Sequence, residues 1–91
     1  MQEFIKSSLD YIEHNLKTDI AADELAKMAN YSFWHYCRMF SQILGASVAN
    51  YILKRRLDHA LAEISSGRKI IEVILEYPSS QEFYLILFRC A

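Results

Sequence analysis

Four side chains between residues 34 and 41 share one face if this segment is helical, because they recur at steps of three and four residues: Trp34, Cys37, Arg38 and Ser41. An outward arginine can donate two hydrogen bonds to guanine O6 and N7 or bind a phosphate, and an exposed tryptophan can pack on a sugar or a thymine methyl group. The face could therefore read a DNA groove. The alternative, favoured by spacing alone, is that Trp34 lies against its own domain and Arg38 is a solvated charge.

Residues that can hold a phosphate flank this segment on both sides. Ser32 precedes it as a candidate N-cap, at the end of a helix where free amides and the helix dipole attract an anion. Lys54, Arg55 and Arg56 follow it as a basic run, but three consecutive residues cannot share one helix face, so one of them is expected to turn inward. We predict phosphate contacts for this run; its alternative is a solvated face without a ligand.

The sequence has no residue pattern for catalysis. His35 and Cys37 are two positions apart and fall on different helix faces, so they suit neither a nucleophile with its base nor two ligands of one metal. Cys37 and Cys90 have no CxxC spacing, which favours reduced thiols. Paired carboxylates, an HExxH motif and a glycine-rich phosphate loop are also missing. We expect neither an enzyme nor a cofactor or metal site.

Length and composition favour one small helical domain over residues 1–91. The chain is 53% hydrophobic, enough for a core, and its two glycines and one proline are too few for an all-β fold. The net charge is −1, but residues 38–69 carry six basic and two acidic side chains, between acidic ends. The most apolar stretch, 70–88, contains three glutamates and a proline, so we expect no membrane span, and the charged start predicts a cytoplasmic protein.

Hydrophobic periodicity predicts six helices. The first covers about residues 2–16, and Thr18 and Asp19 are expected to supply the turn and cap before a short second helix that ends at Asn30. The third runs from a Ser32 cap to Gly45, and its predicted inward side chains are Tyr36, Phe40, Ile43 and Leu44.

The fourth helix is predicted to be the longest, from a Ser47 cap to Ser66 and Gly67. Its predicted inward side chains are Val48, Tyr51, Ile52, Leu57, Ala60, Leu61 and Ile64. A fifth helix, apolar almost all round, begins near residue 70 and ends before Pro78, and a sixth covers 81–89. Two hairpins of helices, over 22–44 and 70–89, are thus joined by the long fourth helix.

These elements carry residues at the spacings of a known family. The matching segments are Leu25-Ala26-Lys27-Met28-Ala29-Asn30-Tyr31-Ser32, Trp34-His35, Arg38-Met39-Phe40, Gly45, Tyr51-Ile52, Arg55-Arg56-Leu57 and Ala60. The sequence resembles the DNA-binding region of AraC/XylS transcription regulators. The resemblance implies an all-α fold of two homeodomain-like helix-turn-helix units, over 1–46 and 68–91, bridged by a linker helix over 47–67. It also implies that Arg56 is the inward, structural arginine.

The second unit departs from the family pattern. Tyr77-Pro78-Ser79 replaces a glycine-containing turn, Ile86 stands where the family has an arginine, and Glu82 lies near the expected DNA face. We therefore expect the second unit to add little DNA affinity, and the turn to be altered.

Two functions follow from these patterns. The first is a sequence-specific transcription regulator that places residues 33–44 in a major groove of double-stranded DNA, with contacts from Ser32, Trp34, Cys37, Arg38, Ser41, Lys54 and Arg55. The alternative is a degenerate relative that acts as a protein-interaction or self-association module. Six consecutive apolar residues over 83–88 are more than one helix of a small domain buries. They predict a homodimer through Phe83, Leu85 and Ile86.

Overall fold

The computed structural model describes residues 3–78, which form five helices and no strand. The helices are α1 (Glu3–His14), α2 (Ala22–Met28), α3 (Phe33–Leu44), α4 (Val48–Ser65) and α5 (Ile70–Leu75). The all-α prediction is confirmed. No helix in this part of the chain is long and apolar enough to cross a bilayer.

Side-chain caps and left-handed residues set the helix ends where the sequence predicts them. Ser32 and Ser47 each accept a hydrogen bond, at 3.2 Å, from the backbone N–H three residues further on. Asn30 after α2 has φ 63°, and Gly45 after α3 has φ 73°. Gly67 after α4 has φ 112°. The tight turn between α2 and α3 makes them a helix-turn-helix.

The core is built where α1, α2 and α3 meet and continues along α4 to α5. Its largest fully buried side chains are Ile5, Ile12, Leu25, Tyr36, Phe40 and Val73. Tyr36 stacks tilted against Phe40 at a ring distance of 6.0 Å, and its hydroxyl donates a 2.8 Å hydrogen bond to Ser8 on α1. The inner face of α3 is therefore fixed against α1, so its opposite face points away from the domain.

Arg56 ties α4 to the segment after α1. It is 9% exposed, and its guanidinium donates to the carbonyl oxygens of Leu16 and Thr18, both at 2.8 Å. Burial lowers the pKa of this guanidinium. The inward, structural position predicted for Arg56 is confirmed.

Four charged side chains link the end of α1, the C-terminal part of α4 and the end of α5. Lys17 Nζ lies 2.9 Å from Glu63 Oε1 and 2.7 Å from Glu76 Oε1, and Arg68 binds the Glu76 carboxylate through both of its Nη atoms. Arg68 and then Lys17 lower the pKa of Glu76 to about 2. The cluster ties the end of α5 to the segment after α1.

Three sequence expectations are wrong. Ile43 and Leu61 were expected inward but are 42% and 45% exposed, because each lies at the edge of its helix's apolar stripe, where no other helix of residues 3–78 covers it. Asp19 does not cap α2: the N-cap is Ala21, without a side-chain hydrogen bond. Thr18 instead closes the turn after α1, where its hydroxyl donates to the carbonyl of Asn15 at 2.9 Å.

Helix α5 is apolar on most of its surface, as the sequence predicts. Its buried residues are Val73 and Ile74, and its exposed apolar residues are Ile70, Ile71 and Leu75. Three predictions lie outside the described residues. They are the sixth helix over 81–89, the departures from the family pattern at Glu82 and Ile86, and the dimer contacts of Phe83, Leu85 and Ile86.

Candidate nucleic-acid interface

Helix α3 has two opposite faces of different character. Tyr36 and Phe40 are fully buried on its inner face. On its outer face Trp34 is 80% exposed, Arg38 is exposed and Cys37 is half-buried. Ser41 continues that outer face and is exposed as well. The four residues that the sequence places on one outward face are therefore together in the structure.

A shallow pocket of about 430 Å³ lies on this outer face. Its lining residues are Phe33, Trp34, Cys37, Arg38, Ser41 and Gln42. A second hollow of about 200 Å³ adjoins it toward the start of α3, where Ser32 and His35 join Trp34 and Arg38 in the lining. Arg38 thus lies at the border of both hollows.

Phe33 and Gln42 belong to this surface, although the sequence reasoning missed them. The four-residue spacing of a helix face could have identified them, because Phe33 precedes Cys37 by four positions and Gln42 follows Arg38 by four. Phe33 is 53% exposed at the first position of α3.

Arg38 differs from the three other arginines of the described segment. Arg55, Arg56 and Arg68 are each held by carboxylates or backbone carbonyls. Within residues 3–78, the Arg38 side chain forms neither an ion pair nor a hydrogen bond. Its five N–H donors are therefore available to a ligand with paired acceptors, such as a guanine edge or a phosphate.

The N-terminal end of α3 adds positive potential beside Arg38. Ser32 is exposed and its hydroxyl accepts the N–H of His35, while the first turn contains no acidic residue that would cancel the helix dipole. A phosphate near this end would meet free backbone amides.

The two basic residues predicted on α4 differ in their surroundings. Lys54 is exposed and has no ion-pair partner among residues 3–78. Arg55 Nε lies 2.5 Å from Glu13 Oε1, and its Nη1 lies 3.3 Å from Asp58 Oδ2. Glu13 raises the pKa of Arg55, and in turn Arg55 lowers the pKa of Glu13. Arg55 is thus engaged with α1 and lines neither of the two hollows on the outer face of α3.

The histidines have structural neighbours. The His35 ring packs on Tyr31 at 5.0 Å, and His59 Nε2 lies 3.0 Å from Glu13 Oε2. His14 Nδ1 lies 2.8 Å from the Asp10 carbonyl. Among residues 3–78 there is no group of three metal-ligating side chains.

The chain is similar to several bacterial proteins over nearly its whole length. It is 39% identical over 87 residues to the Transposon Tn10 TetD protein of Escherichia coli, covering 93% of this chain and 63% of that protein. It is 33% identical over 87 residues to the HTH-type transcriptional activator AarP of Providencia stuartii, covering 93% and 64%. No protein-family model matches the chain.

A third relative is the Multiple antibiotic resistance protein MarA of Salmonella typhimurium, 31% identical over 72 residues, which cover 79% of this chain and 57% of MarA. The chain therefore spans less than two thirds of the length of each of these relatives.

Proposed function

The chain belongs to the AraC/XylS type of DNA-binding domain, and from that premise we propose that it regulates transcription by placing α3 in a major groove of double-stranded DNA. The observation that carries the proposal is the outer face of α3, where an exposed Trp34 stands beside Arg38, which has no partner within residues 3–78. An arginine without an internal partner loses no intramolecular bond when it binds a base edge.

The contacts divide into those that read bases and those that orient the domain. Arg38 donates to guanine O6 and N7, and Trp34 packs against sugar or a thymine methyl group. Cys37 and Ser41, one helical turn apart on the same face, approach neighbouring base edges. The Ser32 end of α3 holds a phosphate and fixes the register.

Two basic residues of α4 supply further phosphate contacts of unequal strength. Lys54 is exposed and can move to a phosphate freely. Arg55 has to leave Glu13 first, so its net contribution is smaller. Lys54→Ala should therefore reduce the slope of log affinity against log salt concentration by about one, the value for one phosphate contact. Arg55→Ala should reduce this slope by less. We propose a cytoplasmic location, where the protein would meet chromosomal DNA.

Selection of bound duplexes from a random pool tests the proposal. We expect enrichment of one element that contains a guanine, and an affinity for it that falls steeply with salt. The Trp34 emission spectrum should change when that duplex saturates the protein, because Trp34 is exposed in the free domain. A pool without enrichment would refute sequence-specific binding, and an unchanged spectrum would remove Trp34 from the interface.

A second function, self-association, is favoured by the apolar surface of α5. Ile70, Ile71 and Leu75 are 47%, 55% and 69% exposed, more apolar surface than one short helix of a monomer usually leaves in water. We propose that α5 contributes to a homodimer together with Phe83, Leu85 and Ile86, with the first unit left free for DNA.

Sedimentation at micromolar concentration tests this association. The parent should sediment as a dimer or larger species, and Leu85→Glu with Ile86→Arg should be monomeric. A strictly monomeric parent would refute it.

A further inference from the structure

The pocket on α3 has an apolar floor that the arginine contact does not explain. The apolar lining residues, which we call the floor, are Phe33 and Trp34, 53% and 80% exposed, and the half-buried Cys37. The polar side chains at the rim are Arg38, Ser41 and Gln42. A domain that needed only a charged contact would gain nothing by leaving these apolar groups in water.

The chemistry of the floor selects one kind of base. The thiol of Cys37 behaves as a small apolar group with a weak donor, and Phe33 has no polar atom at all. Neither can bind a base edge through strong hydrogen bonds. In the major groove, thymine is the base that presents an apolar group, its C5-methyl.

The position of the floor along α3 sets its distance from the base that Arg38 reads. Cys37 and Arg38 are consecutive, so their Cα atoms differ by about 1.5 Å along the helix axis, less than the rise of about 3.4 Å between stacked bases. Phe33 lies four residues before Cys37, about 6 Å along the axis, or roughly two base steps. With α3 lying along the major groove, as the proposed function has it, the floor faces bases within about two steps of the one that Arg38 contacts.

Resting on the proposed function, we propose that Phe33 and Cys37 form a receptor for the C5-methyl group of a thymine located within two base steps of the guanine bound by Arg38. The site would thus read thymine by its methyl group, in addition to the guanine read by hydrogen bonds. Arg38 makes a DNA base the occupant that suits this pocket, because it adds to the apolar floor a cation that has no partner within residues 3–78.

Substitution of single thymines by deoxyuridine tests the receptor directly. Deoxyuridine pairs with adenine as thymine does and lacks only the methyl group. With the duplex enriched by the parent chain, we expect affinity to fall about fourfold at one or two thymines beside the guanine, the effect of one methyl-sized group left in water. Substitution at the other thymines should have no effect.

Two variants assign that effect to the floor. Cys37→Ser replaces the thiol by a polar group of similar size, and Phe33→Ala removes a side chain that is 53% exposed. In either variant the loss caused by deoxyuridine should shrink toward zero. Gln42→Ala, a rim change, should leave it intact. Circular dichroism confirms that each variant folds.

The outcomes separate this inference from the function on which it rests. If no duplex is enriched, both fail. If a duplex is enriched and its binding depends on Arg38, but deoxyuridine has no effect at any thymine, the methyl receptor alone is overturned. It is also overturned if the deoxyuridine effect remains unchanged in both Cys37→Ser and Phe33→Ala.

Discussion

Arg56→Met is expected to destabilise the domain by about 2–3 kcal/mol, because it removes two hydrogen bonds that join α4 to the segment after α1. Methionine retains most of the apolar stem of arginine, so the change reports on the guanidinium rather than on packing. The lost bonds are those to the carbonyls of Leu16 and Thr18, each 2.8 Å long in the folded chain.

The magnitude follows from the surroundings of the two carbonyls. A hydrogen bond to a charged group contributes about 1.5–3 kcal/mol. Leu16 is 5% exposed, so its carbonyl would stay unpaired in the variant, whereas Thr18 is exposed and water can replace the lost donor. Burial lowers the pKa of Arg56, which marks a desolvation cost that methionine does not carry and that offsets part of the loss. The melting temperature should fall by about 10–20 °C.

Urea denaturation followed by far-ultraviolet circular dichroism measures the effect. Fluorescence is less suitable, because Trp34 is 80% exposed in the folded domain and changes little on unfolding. Lys54→Met is the matched control, an exposed basic residue of the same helix, and should change stability by less than about 0.5 kcal/mol. If Arg56→Met were as stable as this control, the guanidinium bonds would have no structural role.

Three further predictions concern the stability of the domain. Ser8→Ala and Tyr36→Phe each break the hydrogen bond between two buried hydroxyls and should each cost about 1–3 kcal/mol in urea denaturation; a stability equal to the parent's in both variants would contradict the bond. Gly45→Ala should cost about 1–2 kcal/mol through its φ of 73° alone, since a Cβ there meets nothing within 4 Å; a stability equal to the parent's would exclude backbone strain. The ion pairs of Glu76 lower its pKa from 4.5 to about 2, so they stabilise the fold above about pH 4.5 and are lost as the pH falls toward 2. Glu76→Gln should therefore flatten the dependence of melting temperature on pH in that window, and an unchanged acid limb would refute the linkage.

Local chemistry made most of the helix boundaries predictable. Ser32 and Ser47 cap helices, and Asn30 and Gly45 end them, because each acts through its own backbone or the next turn. The cap expected before α2 is absent. The Thr18 hydroxyl instead donates to a carbonyl of the preceding turn, and hydrophobic periodicity does not show which of two turns a hydroxyl will bond to.

Contacts between distant segments were not predictable from spacing. Glu13 and Arg55 are separated by 42 positions, so no helical pattern reveals that this carboxylate engages one of the predicted phosphate ligands. Ile43 and Leu61 have the spacing of core residues. Periodicity does not show how much of an apolar helix face the neighbouring elements will cover, and these two side chains stay exposed. The outward face around Trp34 and Arg38 was predictable because one helix suffices to define it.

The specificity of DNA binding by an Arg38→Ala variant tests the central claim most directly. Competition titrations give the ratio of affinities for the enriched duplex and for random DNA, with Lys69→Ala as an exposed control that also removes one positive charge. We predict that Arg38→Ala lowers this ratio about tenfold or more, whereas Lys69→Ala leaves it unchanged. A ratio in Arg38→Ala equal to that of the parent would contradict base reading by α3.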